Sequence, residues 1–291
     1  MPETNTQSLV KKETLTEAEA TSIEQLITTC NNYEGLHMRI DMGTLGDRPG
    51  GEVNDFLYYE NGMLVGYLFV EGWGGRDREL VGMVHPDYRR RGIFRGLLAE
   101  AQEECRQRDI QKLILVCEHA SQSGLAFVNA IQTQYEFSEH EMVLETFREW
   151  RKTHKGLEIR QATRQDLDAI VSILATDSGN VESIRQWVAK LFDDPSSRFY
   201  LATLDEKPLG CLRLDFMSDQ VGIYAFEVRL GYRGLGYGRQ MLEEAICAIR
   251  SESQKRIMLD VETDNTNAIG LYLSCGFEIK TTYDYYNLNN L

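Results

Sequence analysis

Apolar and polar positions alternate through "DFLYYENGMLVGYLFV", residues 55–70, and the alternation breaks at Asn61-Gly62. A period of two predicts strands, and Asn-Gly is a strong signal for a tight hairpin turn. "RFYLATLDEKPLGCLRLDF", residues 198–216, predicts a second hairpin with a looser turn at Lys207-Pro208. Elsewhere the period lengthens to that of a helix. Leu97, Leu98, Ala101 and Cys105 fall on one face, and so do Leu242, Ala245, Ile246 and Ile249. Each of these helices follows a strand-like run, "ELVGMVHPDY" or "IYAFEVRLGY", and precedes another, "KLILVC" or "RIMLDVE".

The order therefore repeats: strand, helix, hairpin, strand, loop, helix, strand, helix, strand. The arginines that open the two loops, "RRRGIF" at Arg89 and "RGLGYG" at Arg233, lie 144 positions apart in a chain of 291 residues. This predicts an α+β protein of two tandem domains, each a mixed, mostly antiparallel sheet flanked by helices. The polar, basic stretch "FREWRKTHKG", Phe147–Gly156, marks the expected boundary and gives domains 1–150 and 151–291.

A glycine-rich turn between a strand and a helix presents backbone N–H groups at the helix N-terminus, where they attract phosphate. An arginine beside it adds a charge-assisted contact. "RGLGYG" lacks the Gly-Lys-Ser/Thr of a P-loop, and Gly234, Gly236 and Gly238 lack the G-x-G-x-x-G spacing of a dinucleotide site. Arg89–Arg91 reads either as a second phosphate loop or as a solvated basic turn.

A formal net charge of −14 argues against nucleic acid and anionic membrane as partners and is compatible with a cationic amine. The first residues contain no apolar signal core, and no run is long enough to cross a bilayer, so a cytoplasmic location is expected. Six scattered cysteines and five histidines show no metal-ligand spacing. No metal is expected, and the cysteines, Cys247 among them, read as reduced, buried thiols.

"VRLGYRGLGYGRQML" followed by "LDVETDNTNAIGLYLSCGF" resembles the GNAT superfamily of acyl-CoA-dependent N-acetyltransferases. Arg233, Gly236 and Gly238 match its Q/R-x-x-G-x-G/A loop. Asn265, Ala268, Leu271, Tyr272, Gly276 and Phe277 match a second motif, N-x-x-A-x-x-L-Y-x-x-x-G-F. The resemblance implies acetyl-CoA as co-substrate and transfer of its acetyl group to a small-molecule or peptide amine. It implies that the loop Arg233, Gly234, Leu235, Gly236, Tyr237, Gly238 and Arg239 holds the coenzyme pyrophosphate. The backbones of Phe226 and Val228 would take the acyl carbonyl and pantetheine arm, and Asn265 would touch that arm. Tyr272 stands where the family places its general acid, which protonates the departing thiolate.

The general base stays open. The family's frequent glutamate position falls on Gly222, which leaves Asp260, Glu227 or a water chain. Strand alternation turns Asp260 away from Leu259 and Val261, and Glu227 away from Phe226 and Val228. In the first half, Arg89 and Gly92 match the loop, but Phe94 replaces the last glycine, Val116 stands in the place of Asp260, and Phe127 is read in place of Tyr272. The first domain is thus expected to be degenerate, in a tandem organisation similar to that of the mycothiol synthases. A non-catalytic acyl-CoA-binding or regulatory module is the alternative. The acceptor is expected near Asp177–Trp187 and Asp215–Gln220.

Overall fold

Turn chemistry sets the two hairpins. A computed structural model describes residues 6–38, 40, 50–72, 77–147, 154–175 and 181–288. In it Asn61 (φ 52°) and Gly62 (φ 81°) close β2 (Asp55–Glu60) onto β3 (Met63–Glu71), as the sequence predicts. The second hairpin joins β8 (Ser197–Leu204) to β9 (Lys207–Phe216), and its turn is Asp205-Glu206, with φ 47° and 65°, two residues before the expected Lys207-Pro208. Proline is fixed near φ −65° and cannot enter the left-handed conformation a two-residue hairpin turn needs. Pro208 instead sits inside β9, opposite a register shift at Ala202/Thr203.

Backbone contacts divide the chain into two units: Met1–Ser138 with Thr281–Leu291, and Glu139–Lys280. This differs from the expected 1–150 and 151–291. The reason lies in two long strands that each belong partly to one unit and partly to the other: β6 (Gln134–Leu144) and β12 (Phe277–Asn287). Of the stretch expected as the boundary, residues 148–153 lie outside the described residues.

The first unit orders its strands β1 (Gln7–Lys12), β2, β3, β4 (Asp77–Val84), β5 (Lys112–Glu118) and then Tyr283–Asn287 of β12. Among the described residues of this unit, only β4 and β5 run parallel. Helix α1 (Glu17–Glu34) starts at a Thr16/Glu19 capping box and lays Ile23, Leu26 and Cys30 on one sheet face, against Tyr67, Phe69 and Tyr285. Helix α2 (Ile93–Gln107) buries the predicted Leu97, Leu98, Ala101 and Cys105 on the other face, against Phe56, Leu68 and Leu80. Tyr67 and Leu68, neighbours on β3, point to opposite cores, as strand geometry requires. Helix α3 (Gln122–Ala130) precedes β6.

The second unit repeats this arrangement: residues 139–143 of β6, then β11 (Arg256–Glu262), β10 (Gln220–Val228), β9, β8 and β7 (Leu157–Gln161). Again one pair, β10–β11, is parallel. Helices α4 (Leu167–Leu174) and α5 (Val181–Leu191) replace the single helix expected here and pack on Phe199, Leu201 and Cys211. Helices α6 (Tyr237–Glu252) and α7 (Thr266–Cys275) cover the opposite face, with Leu242, Ala245, Ile246 and Ile249 fully buried. Cys247 is exposed, contrary to expectation, because one residue past Ile246 lies about 100° round the helix. The other five cysteines are buried and free. No helix among the described residues is long and apolar enough to cross a membrane.

Candidate active site

β10 and β11 begin side by side and then part. Their pairing covers Gln220↔Arg256, Val221↔Ile257 and Gly222↔Met258 and ends there. β11 continues along β6 as far as Glu262↔Glu139, while β10 continues along β9. A bulge between Tyr224 and Glu227, with Ala225 at φ 47°, bends β10 at the point of separation. The tyrosine explains a glycine: a Cβ on Gly222 would come within 2.2 Å of the Tyr224 ring. Phe226 and Val228 thus lie on the part of β10 that has left β11, at a wedge between the strands.

The loop closes the wide end of this wedge. After β10 a 3-10 turn, Leu230–Tyr232, leads to Arg233, then to Gly234 (φ 73°) and Gly236 (φ 93°). Gly236 is the N-cap of α6, and no side chain caps that helix end. Its first-turn N–H groups therefore remain available to an anion. Gly238 is inside the helix, and a Cβ there would lie 3.6–3.7 Å from Val228, Leu271 and Phe226. A larger side chain at 238 would grow into the wedge. Leu235, also in the loop, is 56% exposed.

Two expected cofactor contacts are engaged within the protein. Arg233 donates from Nε to the Val228 carbonyl at 2.7 Å and forms an ion pair with Glu227. Arg239 donates to Ser274 and to Cys275 Sγ. Asn265 caps α7: its side-chain oxygen accepts from the Ala268 N–H at 3.2 Å, which leaves its amide NH₂ to donate.

Tyr272 is 7% exposed, with its ring 6.3 Å from Phe226 and 6.0 Å from Phe277. Burial, reinforced by the negative charge of Glu227, pushes its hydroxyl up to about 12. A phenol in this position keeps its proton at neutral pH, as a general acid must. Asp260 is half-buried, on β11 two residues past the last β10 pair and opposite Glu141 of β6. It lies off the face that carries Leu259 and Val261, which are both in the core under α6 and α7.

Two segments of the chain, residues 21–129 and 161–277, match the model of the acetyltransferase (GNAT) family. The chain belongs to that family. The GNAT relatives include two proteins named mycothiol acetyltransferase. That of Geodermatophilus obscurus is 27% identical over 254 residues, 79% of this chain and 80% of its own, and that of Thermomonospora curvata 25% identical over 285 residues, 93% and 94%. The fold is shared with a GCN5-related N-acetyltransferase from Sphaerobacter thermophilus (TM-score 0.79, 17% identity, 96% of this chain and 95% of that one). It is shared as well with a tandem GNAT protein from the clavulanic acid biosynthesis pathway (0.71, 16%, 97% and 98%).

The first GNAT unit keeps more of this architecture than its sequence suggests. β4 and β5 pair from Asp77↔Lys112 to Leu80↔Leu115 and then part. Arg89 repeats the brace of Arg233: its Nε donates to the Val84 carbonyl at 3.1 Å, and it pairs with Glu34 at the end of α1. A cavity of about 540 Å³ opens at this wedge, bordered by Arg89, Gly92, Phe94, Val116, Glu118 and Phe127 among others. Glu34 also accepts from the Ser121 hydroxyl at 3.1 Å and so joins the loop arginine to the start of α3.

One register needs correcting. Ser121 caps α3 as Asn265 caps α7, and seven residues on from each stand Val128 and Tyr272. Val128, buried at 2% exposure, is the counterpart of Tyr272, not Phe127, whose ring packs edge-on against Phe94 at 4.8 Å. Neither residue carries a hydroxyl.

A cluster beside Gly222 was not legible in sequence. Arg213 on β9 is 5% exposed, lies over the rings of Trp187 (5.1 Å) and Tyr224 (5.2 Å), and bonds Asp215 at 2.7 Å. Burial raises the Asp215 carboxyl above its usual range against the pull of Arg213. Trp187 and Asp215 fall in the two stretches expected near the acceptor, of which residues 177–180 lie outside the described residues.

Proposed function

We propose that the second unit carries out the transfer. A GNAT acetyltransferase moves an acetyl group from acetyl-CoA to an amine, and this chain is an acetyl-CoA-dependent N-acetyltransferase. The observation that supports the placement is a buried, protonated Tyr272 beside Phe226, at a wedge whose wide end is closed by an uncapped helix N-terminus. The residues fit acetyl-CoA: α6 offers first-turn N–H groups to its phosphates, and the parted edge of β10 offers backbone to its pantetheine arm.

Bound acetyl-CoA supplies the thioester, whose C–S bond breaks as the acceptor nitrogen forms its C–N bond. Tyr272 gives its proton to the departing sulfur and regains one from solvent. Asp260 takes the proton the nitrogen must lose, directly or through water. Glu227, held by Arg233, is the weaker candidate, and its charge helps to keep Tyr272 protonated.

The acceptor is a small-molecule or peptide amine that approaches past Trp187, Arg213 and Tyr224. The cavity in the first unit favours a second role there, binding of an acyl-CoA without catalysis, since Val128 gives no proton. Mixing the full-length protein with acetyl-CoA and a panel of primary amines, headed by acceptors of the kind the relatives' name points to, tests the function. Amine-dependent release of free thiol is expected. Acetyl-CoA binding with no thiol release from any amine would favour the non-catalytic reading.

A further inference from the structure

The two glycine loops differ in what lies over them. In the first unit a Cβ on Gly92, the α2 N-cap, would meet nothing within 4 Å. In the second, a Cβ on Gly236 would lie 2.9 Å from Nε2 of His154. The imidazole also packs on Tyr237, with ring centres 4.6 Å apart and planes tilted by 50°. Tyr237 in turn packs edge-on against Tyr232, so a row of rings flanks the loop.

This placement is fixed from beneath. The His154 N–H donates to Oε1 of Gln240 at 2.9 Å, and Gln240 is a buried polar side chain on the first turn of α6. The His154 carbonyl accepts from Leu157 at the start of β7. A buried glutamine spent on holding one backbone group implies that the ring's position matters. His154 also lies outside both segments that match the GNAT family model, 21–129 and 161–277, so the family motif does not account for it.

From this arrangement we infer that His154 is a donor-binding residue: its imidazole contacts the phosphate end of acetyl-CoA beside Gly236. The inference rests on the reading of the second unit as the acetyl-CoA site. The chemistry is direct. Phosphate oxygens seated on the uncapped first turn of α6 lie against the ring that borders Gly236, and an imidazole N–H is a donor of the right reach. Among the described residues nothing lies within 4 Å of a Cβ on Gly92, so the first loop shows no matching contact.

The test compares two donors on the full-length protein: acetyl-CoA, and S-acetylpantetheine, which has the same thioester and arm without phosphates. His154→Ala is expected to raise KM for acetyl-CoA about tenfold, the scale of one hydrogen bond to a charged group. It should leave kcat for acetyl-CoA and kcat/KM for S-acetylpantetheine unchanged. His154→Gln, which keeps an N–H donor, should recover part of the loss. An unchanged KM in the alanine variant overturns the inference, and so does an equal loss with both donors, which would make His154 a packing support for the loop. Calorimetry of the wild-type protein with coenzyme A separates the two levels. Absence of binding defeats the acetyl-CoA reading itself, whereas normal binding with an indifferent His154 defeats only this inference.

Discussion

Replacing Tyr272 by phenylalanine removes one oxygen and leaves the ring. That ring is 7% exposed and packs between Phe226 and Phe277, so its share of core stability stays in place. The hydroxyl makes no hydrogen bond among the described residues, and removing it strands no partner there. The expected stability change is below about 1 kcal/mol. The expected kinetic change is much larger. A positioned general acid is worth about 10²–10⁴-fold, or about 3–5 kcal/mol of transition-state stabilisation. The contrast between the two magnitudes makes the experiment informative. Thiol release at saturating acetyl-CoA and amine should fall at least a hundredfold in Tyr272→Phe, while the melting temperature and acetyl-CoA affinity stay near wild type. pH adds a second check. Burial holds the phenol protonated up to about pH 12, so the wild-type rate should show no alkaline decline from this group between pH 7 and 10. Turnover within twofold of wild type would remove Tyr272 from the mechanism. A large loss of melting temperature would instead make it a packing residue.

Asp260→Asn should depress kcat/KM most where the amine is protonated, with the defect shrinking as pH rises toward the amine's own pKa; a flat ratio to wild type across pH would rule the carboxylate out as base. Glu227→Gln should leave the shape of that profile intact, because Glu227 is committed to Arg233; a steep pH-dependent loss in this variant alone would exchange the two roles. Ending the chain at Lys280 removes Tyr283 and Tyr285, each 2% exposed, from the first unit, and should lower its melting temperature sharply; an unchanged melt would show that β5 does not need β12.

The local features were legible because local chemistry decides them. Leu97, Leu98, Ala101 and Cys105 are buried on α2 as their spacing requires, and Asn61-Gly62 forms the turn that its two positive φ values allow. Pro208 misled for an equally local reason. It is a turn residue by frequency, yet a two-residue hairpin needs φ values that Asp205 and Glu206 can adopt and proline cannot. The division of β6 and β12 between units rests on pairings such as Tyr285↔Val116, far apart along the chain, and no local pattern announces them. In the site, loop and tyrosine could be read from spacing. His154 over Gly236, the brace of Arg233 on Val228, and the packing of Arg213 between Trp187 and Tyr224 could not, since each depends on how separate elements meet. The cavity of the first unit stayed hidden because Phe94 and Phe127 read as losses, although their rings border it.

Acetyl transfer at the wedge of the second unit, and not of the first, can be tested by experiment. Its most direct test is single-turnover acetyl transfer by the full-length protein carrying either Gly238→Glu or Phe94→Glu, at matching places in the two loops. A glutamate at 238 grows from a position 3.6–3.7 Å from Val228, Leu271 and Phe226, and sets a carboxylate against the phosphates the loop would hold. Gly238→Glu should abolish transfer, and Phe94→Glu should leave most of it. Transfer that survives Gly238→Glu and disappears with Phe94→Glu would place the chemistry in the first unit.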